Sequence, residues 1–336
     1  MSTSAAGHLS PAFPERAAWG TAAKLRAWQE EALASYLARG SRDFLAVATP
    51  GAGKTTYALR VATELLDRGV IRAVTVVAPT EHLKTQWAQA AAKAGISLEP
   101  TLTGALGGDF DGYCVTYAGL AVNPIGHRVR IERKRTFVIL DEVHHAGDAP
   151  RWGDAGQEAC DPAIRRPSLT ATPFRSHANP IPFVTYAPVG DGSISSVADY
   201  SYGYGSALAD GVVRPVLFMA YSGQMQWRTR AGDEAAARLG EPLTRDQAAQ
   251  ALRTALDPEG SWILAVLEAA HKRLTEVRRD IADAGGMVIA SDQESARAYA
   301  RLLADMTGKE PTLVLSDESG SSAKLAEFSK GTSPWL

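Results

Sequence analysis

Residues 44–56, FLAVATPGAGKTT, decide the fold of this chain. Phe44–Ala48 is an apolar run of strand length, Thr49–Thr56 is a glycine-bearing turn, and Tyr57–Leu66 has the apolar spacing of a helix. A strand, a glycine loop, Lys-Thr and a helix in this order are typical of a P-loop, whose backbone N–H groups surround the phosphates of a nucleotide. The sequence therefore predicts a nucleoside triphosphate site at the start of this helix.

The residues of this loop have separate predicted roles. Gly51 and Gly53 stand where a side chain would block the phosphates, Lys54 is the cation for them, and the Thr55 hydroxyl is an Mg²⁺ ligand. Ala48 replaces the first glycine of the GxxxxGK[ST] pattern, so a chance turn between a strand and a helix is the alternative. The loop residues predicted to bind the nucleotide are Pro50, Gly51, Ala52, Gly53, Lys54, Thr55 and Thr56.

A second motif, LDEVHH at Leu140–His145, directly follows the apolar run Phe137–Leu140. An acidic pair at the carboxyl end of such a strand indicates a Walker B site, where one carboxylate holds Mg²⁺ and the next activates water. This pattern assigns Asp141 to the metal and Glu142 to the water. A solvated loop of mixed charge is one alternative. A transition-metal site, the other alternative, would use Asp141, His144, His145 and Asp148.

Alternating strands and helices predict an α/β fold with a parallel sheet. The helical spacing is clearest in Leu25–Leu37 and Glu81–Lys93. The predicted strands are Phe44–Ala48, Ala73–Ala78, Tyr113–Tyr117, Phe137–Leu140 and Ser168–Thr170.

The pattern loosens in the rest of the chain. Pro180–Tyr204 is rich in Pro, Gly and Ser and predicts surface loops, whereas Gly211–Tyr221 predicts a strand at an edge. Gln224–Gly260 is polar and Ala-rich, which favours a helical linker, and Trp262–Ala284 has helical spacing. A second α/β unit then follows as strand, helix, strand and helix: Met287–Ala290, Glu294–Met306, Thr312–Leu315 and Ser322–Phe328.

Composition excludes several classes of protein. Hydrophobic residues make up 45% and charged residues 21% of the 336, which indicates a globular protein of about two domains. The net charge of −2 means that any nucleic-acid contact must come from a local patch. Cys114 and Cys160 form no CxxC pair, which favours a reducing cytosol. No apolar run approaches roughly 18 residues, so we expect a cytoplasmic protein without a membrane span.

Taken in order, seven motifs resemble the superfamily 2 helicases with a DEVH box, a group that includes DEAD/DEAH-type enzymes and restriction-system translocases. The motifs are LRAWQ, ATPGAGKTT, VVAPTEHLKTQW, VTY, LDEVHH, LTATPFR and MVIASDQESARAYA, and they cover residues 24–310. The resemblance implies RecA-like domains, ATP and Mg²⁺ as cofactors, and nucleic acid as the partner. LRAWQ and LTATPFR resemble DNA translocases more than RNA enzymes, which favours DNA.

The resemblance also implies roles for single residues. Gln29 resembles the adenine-reading glutamine, with a solvated helix position as the alternative. A second set would contact strand phosphates, which positions a nucleic acid without reading its sequence. This nucleic-acid set is Pro79, Thr80, Lys84, Gln86, Thr103, Gly104, Thr116 and Tyr117, for each of which an ordinary loop or strand position is the alternative. The set expected to couple the nucleotide site to a neighbouring domain is His144, Thr170, Thr172 and Arg175.

We expect four segments. Composition predicts a flexible arm at 1–20 and a largely helical linker at 216–285, and the resemblance implies a first RecA-like domain at 21–215 and the beginning of a second RecA-like domain at 286–336. Motifs V and VI, with their arginine finger, are not found before Leu336, so we expect weak hydrolysis by this piece. One alternative is a nucleotide- and nucleic-acid-binding module without turnover. The other is a motor subunit of a restriction or phage-defence complex that works with a nuclease on duplex DNA.

Overall fold

The computed structural model describes residues 24–102, 104–144, 152–173, 180–189, 193–213, 215–216, 221–228, 234–238, 240–315, 318 and 320–336. The chain divides into two compact units, Met1–Val216 (unit 1) and Leu217–Leu336 (unit 2). The predicted arm at 1–20 lies outside the described residues.

A parallel sheet of seven strands forms the centre of unit 1, in the order β3-β4-β2-β5-β6-β1-β9. The strands are β1 (Asp43–Ala48), β2 (Ala73–Ala78), β3 (Leu98–Glu99), β4 (Gly112–Thr116), β5 (Thr136–Asp141), β6 (Arg166–Thr170) and β9 (Tyr200–Tyr202). Two further strands, β7 (Tyr186–Pro188) and β8 (Ile194–Ser196), form an antiparallel pair. The predicted α/β fold with a parallel sheet is confirmed.

Helices cover both faces of this sheet. Successive residues of β1 show why: Phe44 and Ala46 enter one core cluster with side chains of α1, α2 and α3, whereas Leu45 and Val47 enter another with side chains of α5 and α6. Strands buried on both faces read as continuous apolar runs, which is how they appear in the sequence. The helices of unit 1 are α1 (Ala27–Arg39), α2 (Lys54–Asp67), α3 (Glu81–Lys93), α4 (Tyr117–Val122), α5 (Pro124–Arg133), α6 (Trp152–Cys160) and α7 (Tyr204–Ala209).

The sheet order brings the two predicted motifs together. β6 lies between β1 and β5 and pairs in parallel with both. The predicted P-loop follows β1, and LDEVHH starts with the last two residues of β5, so both motifs lie at the carboxyl edge of the sheet. Ligands of open α/β sheets bind at this edge.

Three expectations for unit 1 need correction. The strand predicted to reach Tyr117 ends at Thr116, because the Thr116 side chain accepts a hydrogen bond from the N–H of Gly119 and so caps α4. The predicted surface loops at 180–204 contain the paired strands β7 and β8 and the edge strand β9 (Tyr200–Tyr202), which the pairing with β1 stabilises. In the predicted strand at 211–221, the described residues 211–213, 215–216 and 221 are not strand; the others lie outside the described residues.

Unit 2 combines a hairpin with four described helices. These elements are β10 (Gln224–Arg228), β11 (Glu234–Arg238), α8 (Arg245–Ala255), α9 (Ser261–Val277), α10 (Gln293–Thr307) and α11 (Ser321–Phe328). The helical interpretation of 224–260 is therefore wrong for the hairpin and holds for α8. Helix α9 ends at Val277, before the predicted Ala284.

The predicted strands Met287–Ala290 and Thr312–Leu315 do not form a ladder in the described chain. Each lies beside the C-terminal segment instead. The N–H of Val288 donates to the carbonyl of Leu336 at 3.0 Å, and the N–H of Thr312 donates to that of Trp335 at 3.0 Å. Within the described part of the chain, no helix has both the length and the apolarity needed to cross a membrane.

Candidate nucleotide-binding site

The loop between β1 and α2 turns through two glycines in the left-handed region. Gly51 has φ 76° and Gly53 has φ 95°, values that L side chains rarely adopt. Gly53 is also the N-cap of α2, so the free N–H groups of that helix start at the loop. A Cβ added at Gly53 would lie 2.8 Å from Nε2 of Gln29. Backbone geometry therefore favours glycine at this position, and any side chain there would have to displace the amide of Gln29.

Arg26, the N-cap of α1, and Trp28, within α1, donate hydrogen bonds to carbonyl groups of this loop. Arg26 Nη1 donates to the oxygens of Gly51 at 3.1 Å and Ala52 at 2.6 Å, and Trp28 Nε1 donates to the Ala52 oxygen at 3.1 Å. Carbonyl oxygens repel an anion, so binding them to donors favours a loop that offers its N–H groups to phosphate. Neither Arg26 nor Trp28 was predicted to contact the loop, although both lie in the motif LRAWQ.

Gln29 also contacts the loop. Its Nε2 donates to the Gly53 oxygen at 2.8 Å, and its Oε1 accepts from the N–H of Arg26 at 2.8 Å. The side chain is 3% exposed, so the alternative of a solvated helix position is wrong. Its predicted reading of adenine stays a prediction.

Lys54 and Glu142 meet across the end of the sheet. The Nζ of Lys54 lies 3.0 Å from Oε1 of Glu142 and donates to the Ala48 carbonyl at 3.3 Å. Glu142 itself has φ 44°, an uncommon value for a non-glycine residue that often accompanies function. Its Oε2 is buried and accepts no hydrogen bond from the described residues, while Nδ1 of His144 lies 3.5 Å away. A buried carboxylate oxygen without a donor suits a water molecule or another polar ligand.

Asp141 is the last residue of β5 and is 6% exposed. Its Oδ2 accepts a hydrogen bond from Trp87 Nε1 at 2.7 Å, and its main-chain oxygen accepts one from the Tyr117 hydroxyl at 2.7 Å. The pKa of Asp141 is raised from 3.8 to about 6, chiefly by burial; the Trp87 bond opposes this rise, the charge of Glu142 adds to it, and the charge of Lys54 opposes it. A nearby dication would favour the ionised form.

His144 and Thr170 join the ends of β5 and β6. His144 Nδ1 and Thr170 Oγ1 are 2.8 Å apart, and Thr170 is fully buried. Thr170 Oγ1 also accepts from the N–H of Thr172 at 3.0 Å and lies 3.1 Å from its carbonyl oxygen. These three predicted coupling residues therefore form one hydrogen-bonded network beside Glu142. Arg175, the fourth, lies outside the described residues.

Part of the predicted nucleic-acid set lies at the start of α3. Thr80 is exposed and caps this helix by accepting from the N–H of Leu83 at 3.3 Å. Lys84 Nζ pairs with Oε2 of Glu81 at 2.5 Å. Gln86 is exposed and Pro79, just before the cap, is half-buried.

The rest of the nucleic-acid set is more dispersed. Thr116 and Tyr117 are buried, and their described contacts are a helix cap and the Asp141 carbonyl. Gly104 is exposed, and its carbonyl accepts from Arg130 Nη2 at 3.1 Å. Thr103 lies outside the described residues.

The donor set near the loop fits a nucleotide with Mg²⁺. Hydroxyl and carboxylate oxygens are the ligands that Mg²⁺ prefers, and Thr55 and Asp141 would supply them. Pro50 is exposed, Ala52 is buried, and Thr56 is half-buried. Across the described ranges no group of three or more His, Cys, Asp or Glu side chains is placed to hold a metal ion. His145 and Asp148, invoked for the transition-metal alternative, lie outside those ranges.

Residues 22–175 match the family described as Type III restriction enzyme, res subunit. This segment carries the P-loop, LDEVHH and β6, although it spans less than half of the 336 residues. At this coarse level the segment 22–175 is similar to the restriction enzyme subunits of that family.

Two mycobacterial relatives match most of the chain. The chain is 58% identical over 315 residues to "Uncharacterized protein Rv2917" of Mycobacterium tuberculosis, covering 93% of this chain and 52% of that protein. It is equally identical to "Uncharacterized protein ML1624" of Mycobacterium leprae, of which 53% is covered. The chain thus spans about half the length of these relatives.

Among solved structures, the Sulfolobus solfataricus SWI2/SNF2 ATPase core in complex with dsDNA is similar, at 18% identity and a TM-score of 0.38. That similarity covers 49% of this chain and 34% of the other.

Proposed function

We propose that this chain carries the ATP-hydrolysing core of a nucleic-acid translocase of the superfamily 2 helicase and restriction type. The proposal rests chiefly on the meeting of Lys54 and Glu142 at 3.0 Å beside the buried Asp141. A P-loop lysine next to a carboxylate pair at the carboxyl edge of a parallel sheet is the arrangement that phosphoryl transfer requires. The family match over 22–175 supports the same class.

Each side chain would have one task. The N–H groups of the loop from Pro50 to Thr56, in which Gly51, Ala52 and Gly53 leave room for phosphate, would bind the triphosphate. Lys54 would neutralise charge that develops on the phosphates, and Glu142 would orient water and accept its proton. Thr55 and Asp141 would hold Mg²⁺, which supplies charge neutralisation between the phosphate oxygens. Gln29, already against the loop, would contact the adenine base.

DNA is the proposed partner. The start of α3, with Pro79, Thr80, Lys84 and Gln86, would face strand phosphates, since first-turn N–H groups of a helix attract anions. Gly104, Thr103, Thr116 and Tyr117 would extend or support that surface. The network of His144, Thr170 and Thr172, together with Arg175, would connect it to the nucleotide.

The domain assignment is also part of the proposal. Residues 21–215 would be the first RecA-like domain, 216–285 a linker, and 286–336 the beginning of a second RecA-like domain. The whole protein would act in the cytoplasm. We expect its complete activity to need sequence that the longer relatives contain, because this chain spans 52% of the Mycobacterium tuberculosis protein.

Steady-state ATP hydrolysis tests this function. We would measure ATP turnover of this chain without nucleic acid and with single-stranded DNA, duplex DNA or RNA. The variants Lys54→Ala and Glu142→Gln would be measured under the same conditions. We expect turnover that one polymer stimulates and that both substitutions abolish. ATP binding that Lys54→Ala removes, without turnover in any condition, would instead support the binding module, and the full-length mycobacterial relative would then be assayed for turnover. Equal turnover in Lys54→Ala would contradict the proposal.

A second candidate is a motor subunit that moves on duplex DNA without separating the strands and works with a nuclease. The description of the matching family as a restriction enzyme subunit favours it. Displacement of a third strand from a triplex reports movement along duplex, whereas release of a labelled strand reports unwinding. Triplex displacement without strand release would support this candidate, and strand release would support a helicase.

A further inference from the structure

Trp87 connects α3 to the predicted metal ligand. Its ring is 2% exposed, and Nε1 donates to Oδ2 of Asp141 at 2.7 Å. Hydrogen bonds to ionised acceptors are shorter and stronger than neutral ones. The bond therefore fixes one of the two carboxylate oxygens and, with it, the side-chain rotamer.

Tyr117 holds the main chain at the same residue. Its hydroxyl donates to the Asp141 carbonyl at 2.7 Å, and its side chain is 6% exposed. The sheet order explains why both donors reach Asp141. Strand β2, which leads to α3, pairs with β5 on one side and with β4, which leads to α4, on the other.

Trp28 provides a contrast within the same unit. It is also buried, at 3%, and its Nε1 donates to a main-chain carbonyl, that of Ala52. Buried tryptophan N–H groups need an acceptor, and a main-chain carbonyl is sufficient. Trp87 instead uses a carboxylate that burial makes costly to ionise, an arrangement typical of residues that orient metal ligands.

We propose that Trp87 and Tyr117 are positioning residues for Asp141. Trp87 holds Oδ2, so Oδ1 remains for the metal, and Tyr117 fixes the end of β5. The two donors belong to the segments that carry Thr80, Lys84 and Thr116, so candidate nucleic-acid elements are one hydrogen bond from the metal ligand. This inference rests on the proposed role of Asp141 in holding Mg²⁺.

Titration of Mn²⁺, as a paramagnetic substitute for Mg²⁺, tests the inference without turnover. We would measure Mn²⁺ affinity by electron paramagnetic resonance in the presence of ADP, and ADP affinity separately in EDTA. Trp87→Phe should weaken Mn²⁺ binding about 10- to 100-fold, the usual effect of removing a partner of a metal ligand. Tyr117→Phe should weaken it less, because it acts through the main chain. ADP affinity in EDTA should stay within about twofold in both variants, since the hydrogen bonds described for Trp87 and Tyr117 go to Asp141 and not to the loop.

Tyr113→Phe is the matched control. Tyr113 is buried in β4, and its hydroxyl lies 3.0 Å from His127 Nδ1 rather than near Asp141. Mn²⁺ affinity should not change in this variant. If Trp87→Phe does not fold, benzothienylalanine at position 87 keeps the shape and removes only the N–H, and the same loss is expected.

Asp141→Asn separates failure of the inference from failure of the proposed function. Retained Mn²⁺ binding in Asp141→Asn would mean that Asp141 is not the ligand, which contradicts the proposed function itself. If Asp141→Asn loses Mn²⁺ while Trp87→Phe or its isostere folds and binds Mn²⁺ normally, the positioning role is overturned.

Discussion

The Nζ of Lys54 lies 3.0 Å from Oε1 of Glu142, which joins the P-loop to the end of β5. Both side chains are largely buried, with 11% of Lys54 and 26% of Glu142 exposed. In the proposed function this ammonium must contact phosphate. The phosphates of a nucleotide therefore compete with Glu142 for the same cation.

Glu142→Gln should raise ATP affinity and abolish turnover. A neutral amide competes less for Lys54, so we expect binding to tighten about 3- to 10-fold, corresponding to an ion pair of roughly 1 kcal/mol. Turnover should disappear because an amide cannot accept the proton of water. Equilibrium titration with a fluorescent ATP analogue and steady-state assays measure the two effects. Glu64→Gln, which breaks the pair with Arg60 on α2, should change neither. Unchanged or weaker binding in Glu142→Gln would contradict the competition.

Alanine at the two loop glycines should have unequal effects. Gly51 and Gly53 both have positive φ, so each substitution costs about 1 kcal/mol in backbone strain. At Gly53 the new Cβ would also lie 2.8 Å from Nε2 of the buried Gln29, whereas at Gly51 nothing lies within 4 Å. Gly53→Ala should therefore lower the free energy of unfolding by about 1–2 kcal/mol more than Gly51→Ala, by analogy with overpacking in cores.

A double-mutant cycle identifies the cause of that difference. In a Gln29→Ala background the clash is absent, so the two glycine substitutions should cost nearly the same. Urea unfolding of the four variants measures this. An excess cost at Gly53 that persists without the Gln29 side chain would point to backbone geometry alone.

Asp141→Asn should stabilise the metal-free protein at neutral and alkaline pH. Burial raises the pKa of Asp141 from 3.8 to about 6, so the folded chain binds a proton more tightly than the unfolded chain. Stability from this group is complete below pH 3.8 and is lost as pH rises through 6. This rise in the pKa lowers the free energy of unfolding, relative to its value in acid, by roughly 3 kcal/mol at pH 8 and by about half of that at pH 5. Asparagine avoids this loss and still offers an oxygen to Trp87.

Urea unfolding in EDTA at pH 8 and pH 5 checks this prediction. The gain from Asp141→Asn should shrink at pH 5. Asp109→Asn, an exposed residue shortly before β4, is the control, and its effect should stay within about 0.5 kcal/mol at both pH values. A gain that is the same at both pH values would exclude ionisation of Asp141 as its source.

Local sequence patterns predicted the strands that helices bury on both faces of the sheet. The run Phe44–Ala48 matches β1 to within one residue, because strands covered on both sides must be apolar throughout. The contact between Trp87 and Asp141 could not be predicted in this way. It depends on β2 lying next to β5, and sheet order is not visible in either segment.

Short elements were also missed for a physical reason. Tyr200–Tyr202 has only three residues, and its strand conformation comes from pairing with β1 rather than from its own pattern. The segments QMQWR and EAAAR read as polar and Ala-rich, yet they pair as a hairpin. Tertiary context decides strand formation more strongly than propensity does.

Thr170→Val should weaken the coupling between DNA binding and ATP hydrolysis more than Thr172→Val does. The Thr170 hydroxyl contacts His144 Nδ1 at 2.8 Å and both the N–H and the carbonyl oxygen of Thr172. The Thr172 side chain takes no part in these contacts. Valine at 170 removes the hydroxyl at nearly constant volume and takes one hydrogen-bond partner from the half-buried His144 and Thr172, at a cost of about 1–3 kcal/mol. The ratio of DNA-stimulated to basal ATP hydrolysis should fall several-fold, because β5 and β6 lose their shared network beside Glu142.

The two threonine variants together make the test specific. Hydrolysis with and without DNA, and urea unfolding, would be measured for both. We expect Thr172→Val to keep the stimulation ratio and to change stability by no more than about 0.5–1 kcal/mol, because the main-chain contacts persist. Equal loss of stimulation in both variants would mean that the Thr172 side chain takes part in coupling. A normal ratio in a folded Thr170→Val protein would show that the His144–Thr170 contact does not transmit the signal.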